Sequence, residues 1–307
     1  MLTEKKSPTL KERYEGCLLG LACGDAVGTT VEFRTPGTFA PLTDMVGGGP
    51  FKLAPGQWTD DTSMALCLAE SLLYRKGFDA RDQMVRYVNW WRWGYMSSTG
   101  ECFDIGNTVQ TALARFETTG EPFAGSTDAW AAGNGSLMRL APVVLYFHPD
   151  AEAIAFYSAE SSRTTHGAAE AVECCRLLAN MIRLALNGAS KDEILSTELP
   201  ELQQPRVLDL MEGKYKYKSA VEISGTGYSV ASLEAALWCF DTQNDFGSTV
   251  LAAANLGEDA DTTAAIVGQL AGAFYGVGGS PAGWLDTLHM RSEIQDYAAR
   301  LAESGRS

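Results

Sequence analysis

Gly56-Gln57-Trp58-Thr59-Asp60-Asp61-Thr62-Ser63 and, far downstream, Gly257-Glu258-Asp259-Ala260-Asp261-Thr262-Thr263 each set a short acidic and hydroxyl cluster at the head of a long run of small and apolar residues. Each run has the length and composition of a globular helix, so the clusters mark helix starts. Asp, Ser and Thr suit that position: their oxygens accept the first unpaired amides, and negative charge favours the positive end of the helix dipole. One capping oxygen serves one helix start. Thr59, Asp60 and Asp61 in succession exceed that need, as do Glu258, Asp259 and Asp261. If the two starts face each other across the fold, their carboxylates converge on one place, and such a site demands cations. Aspartate and threonine oxygens with no Cys or His beside them form a hard donor set, suited to magnesium, manganese or calcium rather than zinc or copper.

The helical rhythm extends outward from these clusters. Leu10, Tyr14, Cys17, Leu18 and Leu21 give one apolar face over Leu10 to Val27, where Gly20, Ala22 and Gly24 allow close backbone approach. Helices are also expected from Asp61 to about Tyr74, from Ala80 to Trp93, from the block at Phe103 to about Phe116, from Asp245 to Asn255, and over the Ala- and Gly-rich stretch Ala264 to Gly276, which must pack tightly. The Ser190 to Ser219 region is polar and reads as short helices with an exposed connection. Thr35 to Gln57, broken by repeated Pro and Gly, cannot be regular for long, and loops of that length are often functional lids. No strand alternation or beta-alpha-beta rhythm occurs. With roughly a dozen helical stretches of ordinary length, the expectation is an all-α fold, one compact domain spanning 1–307.

The 307 residues can bury a substantial core, and 46% hydrophobic with 20% charged residues describes a globular chain. A net charge of -14 argues against nonspecific nucleic-acid binding and against docking on an anionic membrane. Met1-Leu2-Thr3-Glu4-Lys5-Lys6 is not followed by a signal-type apolar block, and no apolar run approaches a bilayer span. A cytoplasmic, monomeric protein is expected. Seven cysteines, an odd number without CxxC spacing, read as buried thiols.

Other candidates are weaker alone. Glu32, at the base of the long loop, is a carboxylate able to reach the acidic centre, although a solvated glutamate is the plainer reading. Asp104 either caps the following helix or faces a ligand. Gly133-Asn134-Gly135-Ser136 is a glycine turn of the kind that lets amides approach phosphate, but it lacks a P-loop lysine. His166 precedes a periodic helix (Val172, Cys175, Leu178, Ile182, Leu186); anion contact competes with capping or surface exposure. With three histidines and no ligand spacing, a histidine metal centre is not expected. Gly225-Thr226-Gly227-Tyr228 resembles another ligand-lining loop. The Trp90-Trp91-Arg92-Trp93 cluster reads as core or interface before ligand stacking.

Together, Gly24-Asp25-Ala26-Val27-Gly28 with Glu32, Thr59-Asp60-Asp61-Thr62, Asp104-Ile105-Gly106, Gly133-Asn134-Gly135-Ser136 with Met138-Arg139, Thr165-His166 and Gly257-Glu258-Asp259-Ala260-Asp261-Thr262 follow the order of one family. The chain resembles the ADP-ribosylglycohydrolases over about residues 12 to 280; its TDDT and GEDADT motifs are specific, its glycine turns are not. The resemblance implies an orthogonal helical hydrolase with a binuclear magnesium or manganese site at the base of a cleft, cleaving ADP-ribose from an acceptor. It implies Thr59, Asp60, Asp61, Asp259, Asp261 and Thr262 as metal ligands, and Glu32 as a switchable carboxylate nearby. It implies Asp104, Ile105 and Gly106 at the distal ribose or leaving group, Gly133 to Ser136 and His166 at the diphosphate, and Tyr228 in the nucleotide cleft. The segment Asp128 to Ala132 departs from the family where adenine is contacted, leaving Trp130 as the candidate aromatic.

The implied chemistry is hydrolysis in which Asp60, Asp61 or Asp261 orients water while Glu32 or Asp104 acts as acid. ADP-ribosylarginine on a protein is the expected substrate. Serine-, nucleobase- or acetyl-linked ADP-ribose, including small molecules, and a non-catalytic, crystallin-like ADP-ribose binder are the alternatives.

Overall fold

The first long helix has no solvent face: from Arg13 to Gly28 every residue is buried. Such a helix belongs at the centre of a helical protein. The structure is a computed structural model describing residues 7–304; the opening hexapeptide, read above for targeting signals, lies outside the described residues. In chain order the described α-helices are α1 (Leu10–Gly28), α2 (Asp60–Arg75), α3 (Ala80–Trp93), α4 (Asn107–Thr119), α5 (Ala141–Phe147), α6 (Ala151–Arg163), α7 (Ala169–Leu186), α8 (Lys191–Leu195), α9 (Pro205–Met211), α10 (Ser229–Thr242), α11 (Phe246–Ala254), α12 (Ala260–Tyr275), α13 (Ala282–Thr287) and α14 (Arg291–Ser304). Pairing of the β type is confined to isolated bridges among the described residues. The fold is all-α, and no described helix is long and apolar enough to cross a membrane.

The partner of α1 is α12, and the pair forms the axis around which α2, α5, α7, α10, α11 and α14 pack. Glycines four apart on α1 make the pairing possible. A β-carbon on Gly20 would stand 2.3 Å from the Gly268 carbonyl oxygen, and one on Gly24 would stand 2.1 Å from that of Ala264. Both sit below any real contact, so only glycine lets the two backbones meet there. Arg13 ties the axis to its neighbour: its guanidinium donates to the carbonyls of Ala185, Ala273 and Phe274, at the C-terminal ends of α7 and α12, where a cation suits the helix dipole. The described cysteines are free thiols, buried as expected except for Cys102, which is half-buried. Of the tryptophan cluster, Trp90 is core while Trp93 is exposed.

This axis positions the site. Antiparallel pairing brings the C-terminal end of α1, with Asp25, against the N-terminal end of α12, with Asp261; a β-carbon on Gly28 would meet the Asp261 α-carbon at 2.4 Å. The N-terminus of α2 arrives at the same place through hydrogen bonds to Asp25.

Candidate functional site

Neither acid-led helix start is capped by its own side chain. Thr59 precedes α2 and Asp259 precedes α12 without a side-chain capping bond. Asp25 of α1 caps α2 from outside. One carboxylate oxygen accepts from the Thr59 amide (2.8 Å) and hydroxyl (2.9 Å), the other from the Thr62 amide (3.0 Å) and hydroxyl (2.6 Å). With the orphan amides served by Asp25, Asp60 and Asp61 are released from capping. Asp25 is the residue that sequence reasoning left out of the site. Its signal was there: an acid in Gly24-Asp25-Ala26-Val27-Gly28, at the C-terminal end of a core helix, where the dipole disfavours negative charge.

The helix starts do converge. The Thr59 hydroxyl lies 2.9 Å from Asp25 Oδ1, 3.2 Å from Asp61 Oδ2 and 3.2 Å from Asp261 Oδ2. A hydroxyl carries one hydrogen and cannot satisfy three carboxylates. The Thr262 hydroxyl also leans on Asp61 Oδ2 at 3.4 Å, while Asp61 Oδ1 is buried without a partner. Glu32, Asp104 and Asp261 bring one carboxylate oxygen each within 4.8 Å of one another. Asp259 accepts from the Asn134 amide at 2.6 Å.

These acids form the floor of a cavity of about 640 Å³ lined by Glu32, Asp60, Asp104, Asp259 and Thr262, with Thr59, Asp61 and Asp261 buried beneath. Among the described residues, no Lys or Arg side chain lines it. Burial, then mutual repulsion, holds Glu32, Asp60, Asp61 and Asp261 well above the ordinary carboxylate range. Burial together with Asp259 and Asp25 pushes Asp104 to about 7. Burial raises Asp25 to about 6, offset by its four hydrogen bonds. An all-oxygen donor set, an orphaned carboxylate oxygen and one hydroxyl shared among three acids fit hard divalent cations.

Asp104 has φ +60°, the left-handed region, and the N-cap of α4 is Gly106. It therefore does not cap the helix; it turns into the cavity with Ile105 and Gly106 beside it. The opposite wall is the glycine turn. Gly133, Asn134 and Gly135 line the cavity, and a β-carbon on Gly135 would strike the His166 ring at 2.8 Å. Ser136 points elsewhere, bonded to Ser162 and Cys175. His166 is buried against the turn, not exposed, and burial followed by Arg139 depresses its pKa to about 3. Arg139, fully buried behind the turn, donates to the Gly135 carbonyl and to the Thr165 hydroxyl at 2.7 Å, which contacts His166 Nδ1 at 2.8 Å. With the Thr165 oxygen engaged by Arg139, its hydrogen goes to Nδ1, and the neutral ring keeps its proton on Nε2 beside Gly133. Thus a wall of glycine backbone and neutral imidazole, with a buried arginine behind it, stands over an acidic floor.

Tyr228 is less central. Its backbone pairs with Gly133, but its hydroxyl is held by Glu170 and Arg206, away from the cavity lining. Trp130 is almost fully exposed and lines no part of the cavity.

An all-helical fold whose cleft joins a hard-oxygen carboxylate floor to a glycine turn backed by arginine combines groups suited to a hard cation with groups suited to an anion. The ADP-ribosylglycohydrolase family model matches residues 6–307. ADP-ribosylarginine hydrolase Tri1 of Pseudomonas putida (strain GB-1) is 47% identical over 94% of this chain and 78% of its own length. The protein of the same name from Serratia proteamaculans (strain 568) is 42% identical over 94% and 79%. ADP-ribosyl-[dinitrogen reductase] glycohydrolase of Rhodospirillum rubrum is 32% identical over 93% of both chains. A solved structure described as an ADP-ribosylglycohydrolase-related protein complex superposes with TM-score 0.86 at 44% identity, covering 96% of this chain and 99% of the other. The chain belongs to the ADP-ribosylglycohydrolase family and is an ADP-ribosyl hydrolase.

Proposed function

We propose that the protein hydrolyses the N-glycosidic bond between ADP-ribose and arginine on a modified protein, with two divalent cations, magnesium or manganese, in the acidic floor. The observation that carries the cation requirement is the Thr59 hydroxyl set among Asp25, Asp61 and Asp261 with no positive group lining the floor. The arginine linkage rests on relatives named for it at 47% and 42% identity. Thr59, Asp60, Asp61, Asp259, Asp261 and Thr262 would hold the ions. When bound, such a pair supplies Lewis acidity and a water acidified toward neutrality.

The chain's own residues do the rest. Asp60, Asp61 or Asp261 orients the attacking water. Oxygen from that water bonds to the anomeric carbon as the water's proton passes to the orienting carboxylate, the carbon–nitrogen bond breaks with its electron pair left on nitrogen, and the departing guanidine nitrogen takes a proton. Asp104, which lines the cavity within 4.8 Å of the Glu32 and Asp261 carboxylates, is placed to deliver that proton, with Glu32 as the neighbouring acid. Gly133, Asn134, Gly135 and the Nε2 proton of His166, backed by the Arg139 charge, receive the diphosphate, and Tyr228 supports the turn through its backbone.

The test is release of free ADP-ribose from an arginine-ADP-ribosylated protein with magnesium, manganese or chelator, for the wild type and Asp261→Asn. Metal-dependent release abolished in the variant is expected. No release by folded, metal-loaded wild type rejects arginine and points to serine, acetyl or nucleobase linkages.

A further inference from the structure

Two bulky residues of the cleft lining occupy backbone conformations that favour glycine. Phe33 has φ +60° and Glu258 φ +57°. Left-handed φ is uncommon for side-chain-bearing residues and an outlier for a ring as large as phenylalanine. The two are locked to one seam: the Phe33 amide donates to the Glu258 carbonyl at 2.7 Å, and the Glu258 amide to the Arg34 carbonyl at 2.8 Å. The strain buys no core packing. The Phe33 ring is 67% exposed, its edge steadied by Phe51 at 6.5 Å and 74° and Phe51 in turn by Phe103 at 5.1 Å. Glu258 carries one short bond, from the Ser224 hydroxyl to Oε2 at 2.6 Å. Both side chains line the cavity that contains Glu32, Asp104 and Asp259.

We propose that Phe33 and Glu258 form the acceptor subsite, in which a guanidinium plane stacks on the open phenyl face and donates to the free Glu258 oxygen. A guanidinium is planar, weakly hydrated and always charged, and its two preferred partners are an aromatic face and a carboxylate. The geometry offers both next to the carboxylates that flank the reacting bond. Phe33 directly follows Glu32, and Glu258 directly precedes Asp259. The glycine turn and His166 make up the wall for the anionic part of the substrate, and Phe33 and Glu258 belong to the lining outside that wall, beside the floor acids Glu32 and Asp259. Phe33 and Glu258 contact the acceptor directly and select an arginine linkage over an uncharged acceptor. The inference rests on the arginine reading given above and adds the residues that enforce it.

The experiment compares wild type with Phe33→Ala, Phe33→Tyr and Glu258→Gln on an arginine-ADP-ribosylated peptide, alongside inhibition by free ADP-ribose, which lacks the acceptor. Circular dichroism melts establish that each variant is folded. A cation–aromatic contact of about 1–2 kcal/mol corresponds to a KM rise of roughly 5- to 30-fold for Phe33→Ala, with a smaller change in kcat. Phe33→Tyr, which keeps the face, should hold KM near the wild-type value, and Glu258→Gln should raise it. The ADP-ribose inhibition constant should stay the same throughout. An unchanged KM in Phe33→Ala and Glu258→Gln overturns the subsite while leaving the arginine reading intact. A rise in KM matched by the ADP-ribose inhibition constant overturns it too, by assigning these residues to the ADP-ribose moiety. Wild type inactive on the arginine linkage overturns both readings together.

Discussion

Asp25 shows how one residue can set the chemistry of others. By accepting both leading donors of α2 it frees Asp60 and Asp61 from capping, so removing it should cost structure before chemistry. Asp25→Ala strands the buried amides of Thr59 and Thr62 and removes the acceptor of the Thr62 hydroxyl, whereas the Thr59 hydroxyl can turn to Asp61 or Asp261. Two orphaned amides at about 1–3 kcal/mol each predict a loss of about 2–6 kcal/mol. Relief of repulsion among the neighbouring acids favours the lower end. Urea unfolding measures it, and a loss below about 1 kcal/mol would show that Asp25 does not cap α2. His166 gives a second prediction, in pH. Its folded pKa of about 3 lies below the usual histidine value near 6.5, so the unfolded chain binds the proton first on acidification. The stability its neutral form contributes is complete above about pH 6.5 and is lost as pH falls toward 3, with a slope of up to about 1.4 kcal/mol per pH unit. His166→Gln should flatten that acid limb. Parallel stability curves for variant and wild type between pH 6 and 4 would contradict a buried neutral ring.

At the scale of helices, the sequence was most legible where apolar periodicity and glycine spacing agree. The α1 and α3 bounds come out within a residue of expectation. The starts of α4 and α12 do not, and for a shared reason. Asp104 and the Asp261-Thr262-Thr263 run look like cap residues, but Asp104 is in a left-handed turn ahead of the helix and α12 already begins at Ala260. Their polar side chains serve the cleft, so the local rule for helix starts misplaces them. The contact between α1 and α12 carries the element-scale prediction. A β-carbon on Gly24 meets the Ala264 carbonyl oxygen at 2.1 Å and its carbon at 2.5 Å, backbone that has no rotamer to change. Gly24→Ala should therefore separate the helices, costing about 3 kcal/mol or more. Because α1 carries Asp25 and α12 carries Asp261, turnover per folded molecule should fall as well. Gly283→Ala, at a position where an added β-carbon meets nothing within 4 Å, is the control. Equal melting temperatures for the two variants would mean that the close approach is not rigid.

Across the whole molecule, the floor acids were readable because hydroxyls and carboxylates in excess of capping stand out in sequence. Of the wall, the glycine turn and His166 were marked in sequence, but that Arg139 backs them through Thr165 depends on how α5 and α6 pack, and Tyr228 goes to Glu170 and Arg206 for the same tertiary reason. Of the molecule's 38 acidic residues, Asp25, Glu32, Asp60, Asp61 and Asp261 are buried together at the floor, and this sets its response to cations and pH. A raised carboxylate pKa means that the folded state holds the proton more tightly than the unfolded chain. Without divalent cations, stability should therefore decline as pH rises through the values near 6 for Asp25 and 7 for Asp104. Magnesium or manganese should reverse that decline, because an ion bound only by the folded state adds about 2.7 kcal/mol at a hundred times its dissociation constant. Protons compete for the same oxygens, so the gain in melting temperature should be larger at pH 8 than at pH 5. It should saturate with metal concentration and vanish in Asp261→Asn. Sodium chloride at matched ionic strength separates binding from screening: if it raises the melting temperature as much as magnesium does, the floor holds no specific ion and its acids are neutralised by protons alone.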